Sequence, residues 1–363
     1  MNLKNKKLWL LLSIFFLCWI SVLFIQCKSM MTLKLINEKI QTSETSKDNE
    51  CEPVFFTEEP NFTSEFPGAH ETITYAKSNN FKNLYNNLVF GLDKKSIDTV
   101  NRILTRFEQI DSGDSKPQFT ATELKNLDTL KRNFKILKID ENCFVWQNYF
   151  LPINHFEASV FFYQNGITNI KNLSILKDKD IVDVGGFIGD SAIIFSNYTN
   201  KNVYSFEPSS KNFALMEKTI AMNKKNNIIP VKLGLGSKNQ NAKIPLEVGS
   251  GLKTDQSLTQ KFPDEASETI KITTLDQYVD ENNLTVGLIK VDIEGNEQDF
   301  LKGAENTIKK QKPFLLISIY HSPSDFFNIK PIIESWNLGY KFEIVKCTDG
   351  QICTETLLIA SPQ

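Results

Sequence analysis

A glycine-broken junction between a short apolar run and a helix start constrains this chain more than any other segment. Ile181-Val-Asp-Val184 reads as a buried strand, Gly185, Gly186 and Gly189 interrupt it, and Ser191-Ala-Ile-Ile-Phe195 reads as the start of a helix. A second strand follows at 202–206 and ends on Glu207. Glycines let the backbone approach a ligand closely, and a helix start offers free N–H groups. A carboxylate roughly 20 residues further on can accept hydrogen bonds from ribose hydroxyls. The pattern therefore predicts a nucleoside-binding α/β site and an enzyme.

The dinucleotide fingerprint fails here, because Phe187 and Asp190 stand where its glycines are required. The Gly-Lys-Ser/Thr of a triphosphate loop is also absent. What remains suits a nucleoside cofactor without phosphate, and S-adenosylmethionine is such a molecule. On this reading Asp183 orients its amino-acid end, directly or through water. Gly185, Gly186, Gly189 and Ser191 form the loop and helix start around it, and Glu207 holds the ribose.

From residue 180 onward strands and helices alternate. Strands are expected at 180–184, 202–206, 228–233, 287–292, 314–320, 340–346 and 355–360. Helices are expected near 190–197, 210–223, 274–281, 296–309 and 327–336. Short apolar strands alternating with helices predict a doubly wound, mostly parallel seven-stranded sheet of the Rossmann-like methyltransferase kind, with an antiparallel C-terminal hairpin around Asp349-Gly350. Open α/β sheets bind ligands at the carboxyl ends of their strands. Asp292 and Glu294 follow the strand that ends in Ile-Lys-Val, and His321 follows the next one. These three are the candidate catalytic residues, since a hydroxyl acceptor benefits from a base that removes its proton during attack. The alternatives are helix capping for Asp292 and Glu294 and a rim hydrogen bond for His321. Lys290 is read as pointing away from the site.

The two ends of the chain differ from this. Residues 8–25 form an uncharged apolar run of about 18 residues behind Lys4, Lys6 and Lys7, long enough to span a bilayer. It is read as an uncleaved anchor within 1–27, because no small-x-small cleavage site follows it. Lysines on both flanks leave its orientation, and the side on which the catalytic part lies, nearly balanced. Residues 28–75 are polar, weakly patterned and read as a stalk, and 76–142 as a helical region with stripes at 81–89, 97–107 and 122–134. The remainder, 143–363, is the catalytic domain. A net charge of -2 and the lack of a basic stripe argue against nucleic acid. The six cysteines follow no zinc spacing. No metal site is expected, Cys347 and Cys353 are read as free thiols, and Asn61 and Asn197 stand in glycosylation acceptor sequences.

Taken together, Asp183-Val-Gly-Gly-Phe-Ile-Gly-Asp-Ser191, Phe206-Glu-Pro208, Ile272-Thr-Thr-Leu-Asp276, Ile289-Lys-Val-Asp-Ile-Glu-Gly-Asn-Glu297 and Phe300-Leu-Lys-Gly-Ala304 resemble the FkbM family of methyltransferases in order and spacing. The resemblance runs over roughly residues 143–345. It implies S-adenosylmethionine as donor and an oxygen acceptor on a sugar, glycolipid or secondary metabolite, and it places Glu157 near the site. Some members carry Glu ahead of the strand-end histidine, where this chain has Ser318-Ile-Tyr-His321. Two other readings fit an anchor, a stalk and an α/β domain: a non-catalytic binding protein of this fold, and a membrane-anchored glycosyltransferase. The latter would want an Asp-x-Asp metal site, to which Asp292-Ile-Glu294 is the nearest approach.

Overall fold

The computed structural model describes residues 54–55, 67–113, 118–246, 267–351 and 353–363. The expected anchor, most of the stalk and Asn61 lie outside these residues. Among the described residues no helix is long and apolar enough to cross a membrane.

After a two-residue strand β1 (Val54–Phe55) come four helices, α1 (Pro67–Ser78), α2 (Phe81–Val89), α3 (Lys94–Ser112) and α4 (Ala121–Asn133). Helix α1 corrects the boundary expected at 75. Ala69, Thr72, Ile73 and Ala76 are buried at helical spacing, but their small or polar side chains give the stripe little hydrophobic signal. The caps behave as their residue types require. Asp93 Oδ1 accepts from the Ser96 N–H at 2.8 Å, and Thr120 and Glu123 form a reciprocal capping box at the start of α4. The helical region also ends sooner than 142, because β2 (Lys135–Asp140) pairs with β3 (Cys143–Trp146), which pairs with β4 (Tyr149–Leu151). A single-turn helix, α5 (Ala158–Phe161), leads towards the main sheet.

The main sheet begins with β5 (Asp180–Val184), α6 (Asp190–Phe195), β6 (Val203–Phe206), α7 (Ser210–Met222) and β7 (Ile228–Val231). A small side sheet follows, made of β8 (Gly234–Leu235), β9 (Gln240–Pro245) and β10 (Ser267–Thr273), with β10 in the middle. The chain then returns through α8 (Leu275–Asn282), β11 (Val286–Val291), α9 (Glu297–Gln311), β12 (Phe314–Ser318), α10 (Pro323–Ser335), β13 (Tyr340–Lys346) and β14 (Thr356–Pro362). The strand order is β13-β14-β12-β11-β5-β6-β7, with β14 antiparallel to both neighbours. Every residue of β5, β11 and β12 is buried, as expected of parallel strands covered on both faces.

Two consequences position the site. The chain order reverses at β5 and β11, so a crevice opens beyond their carboxyl ends. The N-terminal helices are not a separate spacer. Helix α3 packs on β13, where the Ile344 N–H donates to Ser96 Oγ at 3.0 Å, and α1 and α2 pack on α10. Cys347 and Cys353 are free thiols.

Candidate active site at the strand tips

Leaving β5, the chain passes beneath the tip of β11. A Cβ on Gly185, where φ is +77°, would lie 1.9 Å from the Asp292 carbonyl oxygen, so only glycine permits the crossing. The Gly185 and Gly186 N–H groups both donate to the Phe206 carbonyl, at 3.1 and 2.9 Å. Phe187 holds a positive φ of 45°, and its N–H donates to Glu207 Oε2 at 3.1 Å. Glu207 Oε1 accepts from the Ser209 N–H at 2.8 Å. Burial pushes the Glu207 carboxyl up to about 7, against the lowering effect of these backbone donors. Asn212 also acts on this carboxylate, and a carboxylate with about four lone-pair sites still has capacity for a ribose hydroxyl.

The structure corrects the expectation that Asp183 and Ser191 touch the cofactor. Asp183 is fully buried. Its Oδ2 accepts from Ser191 Oγ at 2.8 Å and from Ser205 Oγ at 2.7 Å, while Oδ1 lies 3.3 Å from Lys290 Nζ. Gly186 and Gly189 are likewise packed, against Ser205 and Met216. Of the six expected cofactor residues, Gly185 and Glu207 line the cavity that Phe187, Asn212 and the side sheet enclose. Asp183, Gly186, Gly189 and Ser191 instead fix the loop from below.

Lys290 is also a correction. Asp183 stands in register with Ser205 on β6 and with Lys290 on β11, and neighbours in register share a face of the sheet. Lys290 therefore turns towards Asp183 and donates to the Gly185 carbonyl at 2.8 Å. Burial would lower its pKa, but the carboxylates of Asp183, Asp292 and Asp190 outweigh that and raise it.

Asp292, Glu294 and His321 do converge, and Glu297 joins them. His321 Nδ1 lies 2.9 Å from Glu297 Oε1, and Nε2 lies 3.3 Å from Asp292 Oδ1 and 3.5 Å from Glu294 Oε2. Burial alone would lower the His321 pKa, yet the charges and hydrogen bonds of Glu297 and Asp292 carry it well above 6.5. This shift favours the charged imidazolium, which is a poorer proton acceptor than a neutral ring. Burial works to raise Asp292, and the facing imidazole overcomes it and holds the carboxyl below its ordinary value. Glu294 is pushed up to about 8, chiefly by burial and further by Asp292, Glu297 and Glu157. Glu157 lies close enough to this group to act on Asp190, Glu294 and Glu355, as the family resemblance implied. Glu297 was legible as the last acid of Asp-x-Glu-Gly-x-Glu, but its burial was not.

A second, larger cavity of about 710 Å³ opens on the other side of Asp292. Helix α3 contributes Lys95, Thr99 and Arg102 to it, and Asn126, Tyr163, Asn169 and Lys346 add further polar groups. Among the described residues, Asp292 is the one that lines both cavities.

Residues 183–342 match the family model described as the methyltransferase FkbM domain. Over these residues the chain is similar to the FkbM methyltransferases. The hexuronic acid methyltransferase AglP of Haloferax volcanii is 30% identical over 146 residues, which make up 40% of this chain and 57% of AglP. Methyltransferase 1 of Beauveria bassiana is 26% identical over 177 residues, 44% of this chain and 71% of that one. The chain thus spans less than two thirds of the length of the first of these relatives. The crystal structure of methyltransferase FkbM from Methylobacillus flagellatus KT shares the fold, with a TM-score of 0.51 at 17% identity, over 79% of this chain and 60% of that one.

S-adenosylmethionine is the cofactor that goes with this domain, and the groups lining the first cavity suit its parts. Glu207 would take the ribose hydroxyls, the Gly185–Phe187 loop allows close approach, and Leu235, Ile244 and Ile272 offer an apolar wall for the adenine. Asp292 and Glu294 border the same space and suit the cationic end.

Proposed function

We propose that this chain is an S-adenosylmethionine-dependent O-methyltransferase whose acceptor is a sugar or glycolipid hydroxyl. The observation that carries the proposal is the meeting of the two cavities at Asp292. A donor in the first cavity and an acceptor in the second would face each other there. The width of the second cavity and its amide, hydroxyl and ammonium groups suit a polyhydroxylated ring. The likeness to a hexuronic acid methyltransferase supports the same substrate class. On this reading residues 8–25 attach the chain to a membrane.

When bound, the donor supplies a methyl group on cationic sulfur. Methyl transfer is an in-line displacement, so the protein's main task is to align the nucleophile and exclude water. Asp292 accepts the hydrogen of the incoming hydroxyl and fixes the direction of its lone pair. Its low pKa makes it an orienting group rather than a strong proton acceptor. His321, held protonated, keeps Asp292 and Glu294 side by side despite their like charge.

The test uses the full chain in detergent, with calorimetry for donor binding and radiolabelled donor for methyl transfer to hexuronic-acid glycans and to neutral glycans. Glu207→Ala removes hydrogen bonds to a charged group, each worth about 1.5–3 kcal/mol. Donor affinity should therefore fall about 10- to 100-fold. Unchanged affinity in Glu207→Ala would remove the ribose assignment. Tight donor binding without transfer to any acceptor would favour a binding protein over an enzyme.

A further inference from the structure

We propose that the cluster of Asp292, His321 and Glu297 binds a divalent first-row metal cation, with Asp292 and His321 as ligands, Glu294 beside them and Glu297 as outer support. In the sequence Asp292-Ile-Glu294 only approaches a metal motif, and His321 is not visible as its partner because it lies on a separate strand tip. The inference rests on the functional reading above only for the use made of the cation, not for its binding.

The geometry starts from Glu297. Its side chain is fully buried, and Oε1 accepts from the Ile293 N–H at 2.9 Å while facing His321 Nδ1 at the same distance. A carboxylate accepting from Nδ1–H fixes the tautomer and turns the Nε2 lone pair outwards, which is the usual support for a metal-bound histidine. The His321 side chain is 6% exposed. Its buried Nε2 has no well-directed hydrogen-bond partner and faces oxygen atoms of two carboxylates. A positive charge among these atoms, whether a proton on Nε2 or a metal ion, is what such an arrangement requires.

The spacing matches such a cation. Two ligand atoms, each about 2.1 Å from a metal and near the tetrahedral angle, lie roughly 3.4 Å apart. The observed separations from Nε2 are 3.3 Å to Asp292 Oδ1 and 3.5 Å to Glu294 Oε2. One nitrogen and two carboxylate oxygens form a donor set for first-row metals rather than for calcium. The backbone also serves the cluster. Glu294 adopts a positive φ of 57° and Gly295 one of 97°, which turns the chain back so that its acids face one imidazole. Three protein groups around the cation leave a position open, as in catalytic metal sites. Asp292 lines both cavities, so a cation there could bind the acceptor oxygen and make its proton easier to lose.

Cobalt(II) is a suitable probe, because its visible absorption reports both binding and coordination geometry. The full chain, stripped with chelator, is titrated with cobalt(II) at pH 7.5 without donor or acceptor. One equivalent should bind, with the intense absorption of a four-coordinate site. His321→Ala and Asp292→Asn should each weaken binding by at least tenfold, while Glu297→Gln should weaken it 10- to 100-fold with the ligands intact. Far-ultraviolet circular dichroism of each variant separates loss of ligands from loss of fold, and Glu294→Gln provides a second variant of the cluster should His321→Ala unfold. No stoichiometric binding, or equal binding by His321→Ala, would overturn the site and leave a protonated imidazole as the bridge. A chain that binds cobalt(II) but transfers no methyl group would count against the methyltransferase reading and not against this one.

Discussion

Lys290 provides the sharpest test of how the donor loop is held. Its ammonium group lies 3.3 Å from Asp183 Oδ1 and 2.8 Å from the Gly185 carbonyl, and both side chains are at least nine-tenths buried. Lys290→Met keeps most of the packing volume but leaves a buried carboxylate without its counter-charge. Breaking one side of a buried ion pair typically costs about 3–5 kcal/mol. That is a large share of the roughly 5–15 kcal/mol that separates folded from unfolded domains. Adding Asp183→Asn removes the stranded charge while an amide oxygen can still accept from Ser191 and Ser205. The double variant should therefore recover at least about 2 kcal/mol relative to the sum of the singles, the size of coupling expected between groups in direct contact. Urea unfolding of the four proteins at pH 7.5, followed by circular dichroism with the slopes compared, measures the cycle. A loss below about 1 kcal/mol in Lys290→Met, or strict additivity in the double variant, would show that Lys290 does not anchor the loop.

Two further outcomes follow from the same strand tips. Gly185→Ala places a Cβ 1.9 Å from the Asp292 carbonyl oxygen at a φ of +77°, so it should lower the melting temperature and abolish donor binding. A variant that melts with the wild type and binds donor equally would show that the two loops can part freely. The folded chain should also lose stability as pH rises from about 6 to about 8.5. Burial pushes Asp190 and Glu207 up to about 7, and Glu294 and Glu355 up to about 8. Across this window the folded state keeps protons that the unfolded state has released, so the slope of stability against pH is negative. His321, raised by its carboxylates, has the same sign: its contribution is complete below 6.5 and fades as pH climbs through the folded value. Asp292, which is lowered, acts in the opposite sense only in acid, below 3.8. Urea midpoints at pH 6, 7 and 8.5 measure the slope, and a flat or rising profile would contradict the buried charge pattern.

Much of the sheet was legible because its strands are short apolar runs closed by glycine or acid. Strands β5, β6, β11 and β12 lie within two residues of where periodicity puts them. What periodicity lacks is register. Lys290 looks like a stray charge in an apolar run until β11 is set beside β5, and the pairing of Lys290 with Asp183 then explains it. The start of α10 shows a different loss. Ser322 accepts from the Asp325 N–H and Pro323 occupies the first turn, a recognised helix start. A proline between two serines nevertheless reads as a loop, and the expected helix began four residues late. Glu207 and Gly185 line the first cavity, and their positions were legible because they are local: one ends a strand, the other begins a turn. Asp183 was misjudged because a carboxylate at a strand end reads the same whether it faces a ligand or two serines and a lysine.

These details bear on why Asp292 can serve two cavities at once. The Asp292 backbone carbonyl limits the donor loop at Gly185, while its side chain faces His321 and the larger cavity. Moving one of these contacts moves the other, because both belong to one residue on a turn fixed by Glu294 and Gly295. Donor and acceptor binding should therefore be energetically coupled, and any coupling free energy must be reciprocal. Helix α3 extends the argument beyond the matched residues 183–342. It contributes Lys95, Thr99 and Arg102 to the larger cavity and is pinned to β13 through Ser96. Changes along α3 should thus alter which acceptor is methylated and leave donor affinity at Glu207 in place.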